Sequence, residues 1–511
     1  MKTKKTLEKR KEKLIEWFKK PTNIALIFVI LLTIILGLRY FNVNSTVWWD
    51  EADYTSGAKY FAGMHNTNFK FNPHRPIGVH FLLGIVLILG FGEVGMHFII
   101  FLFSVALVIF TYLLGKEMFG DWVGIIAAFM LSAFWLHLFL TARVLITMPG
   151  VSLAIISLYF FWKGFIKNGK MIYVILFAFF LALSFLARAQ SLLAIIIVGL
   201  FMLITQKLSL FKNKKFWVAL LVGFLTLLPY LLFLQFSPVS GTSNLGNTGL
   251  LGFIEFKGRT TNLIGLGGVI DMVKAFPGIV TIPYFIITLF SLIIFLTLFI
   301  ILDKVLLKGG QEHYPHLFLF LWIFGFIIHI AAFIRPIGYI EPYYIFYAFP
   351  TLFIASGAGI KIIYEKVKKY NKNLSIIFVI LIILGLLFGA YSNVVSANAN
   401  ILSKKDSYLP VRQAGEWIKE NSDSTDVVVT RSVPQNLYYS ERTTYQLSAD
   451  SVEELESNLL KYDPRYVIFS VFENHKDWIY NYPTEHNDTF IPVKVYSQGE
   501  QPVLVIYEIK K

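Results

Sequence analysis

The sequence predicts a polytopic all-α membrane protein with a small α/β domain at its C-terminal end. Three observations carry that expectation. Hydrophobic residues fill 56% of the 511 positions and charged residues only 15%, against about 25% charged in soluble domains. Apolar runs of about 20 residues, enough to cross a hydrocarbon core of roughly 30 Å, recur as far as residue 392. Beyond that point the apolar runs shorten: residues 400–511 hold 12 Lys/Arg against 17 Asp/Glu, within a chain of net charge +14. The composition excludes an ordinary soluble enzyme, a disordered chain and a fibrous protein. With no cysteine, disulfides, thiolate metal sites and cysteine nucleophiles are excluded as well. The basic total is the charge of lysines flanking spans, so no nucleic-acid partner is expected.

In chain order, residues 1–22 are a basic segment expected to be cytoplasmic. Residues 23–392 form the transmembrane domain. Spans are expected at 23–41, 97–114, 122–141, 146–162, 171–187, 190–205, 216–235, 279–302, 317–334, 343–362 and 374–392. A further apolar run at 77–92 is short and interrupted by Gly84, Gly90 and Gly92. If it spanned, Lys163–Lys170, Lys207–Lys215 and Lys361–Lys372 would all fall outside. If it lies along the outer interface, they fall inside, as the positive-inside rule requires. The second arrangement gives eleven spans, a first external loop at 42–96 and an external C-terminus. The first span runs into Arg39-Tyr40 with no small-residue cleavage site, so it is expected to be retained.

Residues 393–511 read as an external soluble domain. Strand-like pieces recur at Val427–Thr430, Tyr466–Ser470, Val493–Tyr496 and Val503–Ile509. Helical patterns at Val411–Glu420 and Glu453–Lys461 alternate with them, the rhythm of an α/β fold.

Polar residues stand out against this apolar background and gather on one side. The first external loop opens with Trp48-Trp49-Asp50-Glu51-Ala52-Asp53-Tyr54, an acidic group directly after a span and a candidate general base at the membrane surface. The loop ends in Asn72-Pro73-His74-Arg75-Pro76, where the prolines hold His74 and Arg75 in extended geometry. Arg143, Arg188 and Arg335 reach the same face, the last in Arg335-Pro336-Ile337-Gly338-Tyr339-Ile340-Glu341-Pro342-Tyr343-Tyr344. Outward arginines run against the charge rule. Four of them beside Asp50 and Glu51 make an anion site next to a base, since guanidinium groups suit phosphate. His80, His97, His137 and His329 are expected to pack or hydrogen-bond within spans. No metal-ligand spacing appears, so a divalent metal would rest on His74 alone and no cofactor is expected to be required. Two sequons occur, Asn44-Ser45-Thr46 and Asn487-Asp488-Thr489.

Asp50-Glu51 with Tyr54, His74-Arg75-Pro76-Ile77, Phe91-Gly92-Glu93, Gly115-Lys116 with Phe119-Gly120, Leu186-Ala187-Arg188 and Tyr339–Tyr344 together resemble the GT-C superfamily of membrane glycosyltransferases. The nearest branches are the protein O-mannosyltransferases and the lipid A aminoarabinose transferases. The resemblance covers most of the first 360 residues and implies external juxtamembrane helices beside the spans. Trp48-Trp49-Asp50 matches letters of the oligosaccharyltransferase signature, which belongs in a C-terminal domain and continues differently. One departure concerns the loop after Arg143: relatives usually carry an acid there, and this chain reads Thr147-Met148-Pro149.

The resemblance implies a multi-pass plasma-membrane enzyme that moves a hexose or pentose from a polyprenyl-phosphate donor to an acceptor hydroxyl at the outer face. The acceptor would be a protein, lipid or glycan. By it, Asp50 is the base, with Glu51 positioning or assisting. Arg75, Arg188, Tyr54 and Tyr344 face the donor phosphate. His74, Arg143, Arg335, Tyr339 and Glu341 are further substrate-binding candidates. Two other classes compete: a transporter of lipid-linked sugars, which calls for broken polar spans or an internal repeat, and a binding scaffold that has lost catalysis.

Overall fold

The computed structural model describes residues 16–64, 67–72, 75–236, 266–306, 310–337, 341–473 and 476–510. Helices occupy all eleven expected spans. They are α1 (Pro21–Tyr40), α4 (Gly92–Phe119), the pair α5 (Asp121–Ala133) and α6 (Trp135–Thr141), α7 (Thr147–Phe161), α8 (Met171–Ala187), α9 (Leu192–Gln206), α10 (Lys214–Phe236), the pair α12 (Ile282–Thr288) and α13 (Ser291–Leu306), α14 (Tyr314–Ile337), α15 (Phe349–Tyr370) and α16 (Lys372–Ile401). By length and composition, eight of the described stretches can cross a membrane, or nine if the bent pair α5–α6 counts as one. Met171–Ala187 is apolar but only 17 residues long.

Three short helices lie between spans. The loop after α1 folds into α2 (Trp49–Phe61) and α3 (Gly78–Ile88), and α11 (Leu266–Val280) precedes α12. Helix α3 is the apolar run that charge assigned to the interface. It has 11 residues and ends before Gly90 and Gly92, whose φ angles of 80° and 59° suit glycine and turn the chain into α4.

The 62° bend between α5 and α6 falls at Phe134, which is extended at φ −63°, ψ 122°. Such a break strips backbone N–H groups of their helical acceptors, and in an apolar environment they need others. Asn393 of α16 supplies one, its Oδ1 accepting from the Trp135 backbone at 3.2 Å. Below the bend, His137 lies fully buried with Nε2 3.1 Å from the Ser104 hydroxyl, which accepts from Thr141 at 2.9 Å. His137 therefore packs and hydrogen-bonds, as expected.

Helix α16 runs nine residues past 392 before the chain enters the terminal domain. There α17 (Leu409–Asn421), β1 (Val427–Thr430), α18 (Val433–Ser440), β2 (Thr443–Gln446), α19 (Val452–Tyr462), β3 (Tyr466–Ser470), α20 (Trp478–Glu485), β4 (Phe490–Gln498) and β5 (Gln501–Ile509) follow. The sheet order is β2-β1-β3-β5-β4, with β2, β1 and β3 parallel and β5 antiparallel to both β3 and β4. Strand β3 is buried at every position. Its alternate side chains enter two cores, Tyr466 and Ile468 against Val411 and Ile418 of α17, Val467 and Phe469 against Leu455 and Tyr482.

This domain is bolted to the loop that carries α2. The Val47 N–H donates to the Tyr439 hydroxyl at 2.8 Å. Lys59 of α2 donates to the Tyr438 carbonyl at 2.6 Å and pairs with Glu441 at 2.8 Å. Asn68 meets Thr444 of β2 as a strand would, its Nδ2 donating to the carbonyl at 3.0 Å and its Oδ1 accepting from the N–H at 3.1 Å. The outer edge of β2 is thereby capped.

Candidate active site

The site begins at the first turn of α2. Glu51 stands at the third helical position, and its Oε2 accepts from the Trp48 backbone N–H at 2.8 Å, one arm of a capping box. The same carboxylate pairs with Arg143 at 3.0 Å, and its Oε1 accepts from the Val144 N–H at 2.8 Å. The Arg143 guanidinium lies against the Trp48 ring, 3.0 Å from its centroid. Glu51 and Arg143 are both 2% exposed. They fasten α2 to the turn before α7.

With Glu51 pinned inward, helical spacing sends Asp50, Asp53 and Tyr54 to a different face. Arg75 bridges the two carboxylates: Nη2 reaches Asp50 Oδ1 at 2.7 Å, and Nη1 reaches Asp53 Oδ2 at 2.9 Å. Its guanidinium also lies 5.1 Å from the Tyr54 ring centroid. Tyr54 is buried and packs edge-on against His80 of α3, which in turn meets Phe71. Burial pushes the His80 imidazole down to about 3, so it is neutral. The Asp50 side chain is 36% exposed, the most open of the group.

A second arginine faces the site from the α8–α9 turn. Helix α8 stops at Ala187, and Arg188 is extended at φ −152°, ψ 123°. Its Nη1 donates to the Thr147 hydroxyl, and its guanidinium sits 5.8 Å from the Tyr343 ring centroid. Two polar links hold this turn to the segment preceding α15. Ser191 bonds the Tyr347 hydroxyl at 2.6 Å, and Gln190 donates to the Tyr344 carbonyl at 2.9 Å.

Burial raises the Asp53 carboxyl above the usual carboxylate range, with Arg75 opposing that shift and Asp50 adding to it. Burial also raises Glu341, with Lys404 opposing and Asp50 adding, which puts Glu341 within electrostatic reach of Asp50. The Tyr54 phenol is raised by its burial and stays protonated, a hydrogen-bond donor.

Asp50, Arg75, Arg188, Tyr54, Tyr344 and Glu341 thus come from the loop, the α8–α9 turn and the segment before α15, on the side that carries the terminal domain. His74 and Tyr339 lie outside the described residues, as does the side chain of Arg335. Among the described residues no three His, Cys, Asp or Glu side chains gather as a metal-binding set. Asp53, Thr147, Tyr343 and Gln190 carry no individual role in the sequence-based reading, although Asp53, Thr147 and Tyr343 stand in its motifs. Asp53 had a signal, its i, i+3 spacing from Asp50 on one helix. Thr147 had one too, opening the stretch Thr147-Met148-Pro149 where the resemblance leads one to expect an acid. The first sequon is closed to modification: Asn44 is buried and donates to the Ala142 carbonyl at 3.1 Å.

Residues 74–233 match the family described as dolichyl-phosphate-mannose-protein mannosyltransferase, a stretch that contains Arg75, Arg143, Thr147 and Arg188. No curated protein compared with the chain matches it. Among solved structures, ArnT from Cupriavidus metallidurans bound to undecaprenyl phosphate superposes with a TM-score of 0.64 at 12% identity, covering 94% of this chain and 97% of that one. The Archaeoglobus fulgidus oligosaccharyltransferase tethered with an acceptor peptide gives a TM-score of 0.60 at 16% identity, over 97% of this chain and 75% of that one. The oligosaccharyltransferase AglB of the same organism, in complex with an inhibitory peptide and a dolichol-phosphate, gives 0.54 at 14% identity over 89% and 70%. The chain shares the GT-C fold of these solved structures.

Proposed function

We propose that the chain transfers a sugar from a polyprenyl-phosphate-linked donor to an acceptor hydroxyl at the outer face of the plasma membrane. One observation carries the reading: Asp50 is the more open of the two carboxylates on Arg75, and Arg188 faces the same site. Structures of the same fold that hold undecaprenyl phosphate or dolichol-phosphate support a polyprenyl carrier.

The acceptor O–H gives its proton to Asp50 as its oxygen attacks the anomeric carbon. The bond from that carbon to the phosphate oxygen breaks, and the lipid phosphate leaves with the electron pair. A single displacement of this kind inverts the anomeric centre. The charge gained by the leaving phosphate is balanced by Arg188 and by the half-buried Arg75. Asp53 holds the second arm of the Arg75 fork and so fixes where the guanidinium points. Tyr54 and Tyr344 complete the donor side, with Glu341 on the acceptor side. Protein, lipid and glycan hydroxyls all remain within this reading, and no metal-dependent step is needed for it.

The test offers a panel of polyprenyl-phosphate hexoses and pentoses to the purified protein in lipid nanodiscs, together with acceptors extracted from membranes. Release of lipid phosphate identifies the donor. An anomeric product of unchanged configuration contradicts the single displacement. Donor binding without release across the panel points instead to a binding scaffold.

A further inference from the structure

A second cleft lies at the other end of the spans and takes no part in the chemistry above. It has a volume of about 750 Å³ and opens between α1, α5, α15 and α16. That is the size range of a small-molecule site. Its place is fixed by the helices that bound it. Tyr40, at the far end of α1, bonds Asn398 of α16 beside the terminal domain, whereas the cleft is lined by Ala25 and Phe28 near the start of α1. Along α16 the lining runs from Phe378 to Leu387. At 1.5 Å per residue that is roughly 14 Å, about half of a 30 Å hydrocarbon core. The cleft is one leaflet deep.

The polar lining residues are confined to one end. Asp121, Lys361, Tyr364 and Glu365 stand there, and the remainder of the lining is almost wholly apolar. Lys361 spends one donor on the Phe119 carbonyl at 2.8 Å, and an ammonium has three. Glu365 is 61% exposed, with Lys361 3.8 Å away. Asp121 accepts from Tyr112 at 2.9 Å and pairs with Lys116 at 2.8 Å. The mouth therefore presents two cations, Lys361 and Lys116, beside two carboxylates, a rim of balanced charge. An anionic headgroup would meet the ammonium groups but also both acids. A headgroup with a phosphodiester and a primary ammonium meets complementary charge at both groups.

We propose that this cleft is a site for an amine-bearing phospholipid, with one chain among α1, α5, α15 and α16, the phosphodiester on Lys361 and the headgroup ammonium on Glu365 and Asp121. The site is independent of sugar transfer.

The full chain is purified in mild detergent and incubated with equimolar phosphatidylethanolamine, phosphatidylcholine and phosphatidylglycerol, and retained lipid is counted by native mass spectrometry. One phosphatidylethanolamine per chain should be retained in preference to the others. Glu365→Gln and Lys361→Ala should each lower that retention about tenfold, the loss of one charge-assisted hydrogen bond. Val379→Trp, at a lining position already 39% exposed, should fill the cleft and abolish retention. Equal retention of all three lipids, a preference for phosphatidylglycerol, or retention that survives Val379→Trp would each overturn the proposal.

Discussion

Glu51 and Arg143 meet at 3.0 Å with their side chains 2% and 3% exposed, and among the described residues each is the other's only ion-pair partner. A carboxylate in that position holds the helix that carries Asp50. Removing one member of such a pair leaves an uncompensated charge and costs about 3–5 kcal/mol. Glu51→Ala should therefore lower the melting temperature sharply and reduce the yield of folded protein. The Glu51→Gln, Arg143→Met double variant should recover part of that loss. A Glu51→Ala protein that melts like the parent but has lost turnover would give Glu51 a chemical role instead.

Arg75 serves two carboxylates with one planar fork. Lysine carries the charge but not the fork. Arg75→Lys should fold and bind donor, with kcat reduced about a hundredfold, the scale of losing one donor aimed at developing charge. Steady-state kinetics on the donor identified above measures it, and an unchanged kcat would show that charge alone suffices.

The Thr147 hydroxyl accepts from Arg188 and anchors its guanidinium. Thr147→Val removes the anchor and should raise the KM for donor about tenfold, the weight of a hydrogen bond to a charged group. Thr147→Asp should restore the anchor as an ion pair and return KM toward the parent value. Equal KM values in all three proteins would mean that Arg188 is held by other contacts.

Asp53 carries a pH signature. Its carboxyl is raised by burial in the folded protein, against about 3.9 when unfolded. Between those values the folded state binds more protons, so stability is fully present below the unfolded value and falls as pH rises through the window. Melting curves across roughly pH 4 to 7 should show that slope in the parent and a flatter one in Asp53→Asn. A slope of the same size in both would assign it to another group.

The spans and the alternation of the terminal domain were legible because apolar length and period-2 patterning are local properties. Strands Val427–Thr430 and Tyr466–Ser470 fall at the expected residues. The short elements α18, β2 and α20 were missed. Val433–Ser440 buries six of its eight residues against neighbours that no local pattern announces, and Thr443–Gln446 is held by pairing with β1. Which acid would face inward was not legible either. Asp50 and Glu51 are adjacent, yet the capping geometry of one turn seals Glu51 and opens Asp50. Exclusion of 77–92 from the spans came from charge counting over the whole chain, and the helix Gly78–Ile88, 11 residues long, is too short to cross a core of roughly 30 Å.

The central claim is that Asp50 takes the acceptor proton. It is tested by comparing Asp50→Asn with the parent in nanodiscs for both donor binding and release of lipid phosphate. The claim predicts donor affinity within a fewfold of the parent and turnover lower by about 10²–10⁴, the range of general base catalysis. Turnover retained within a fewfold by Asp50→Asn would contradict it.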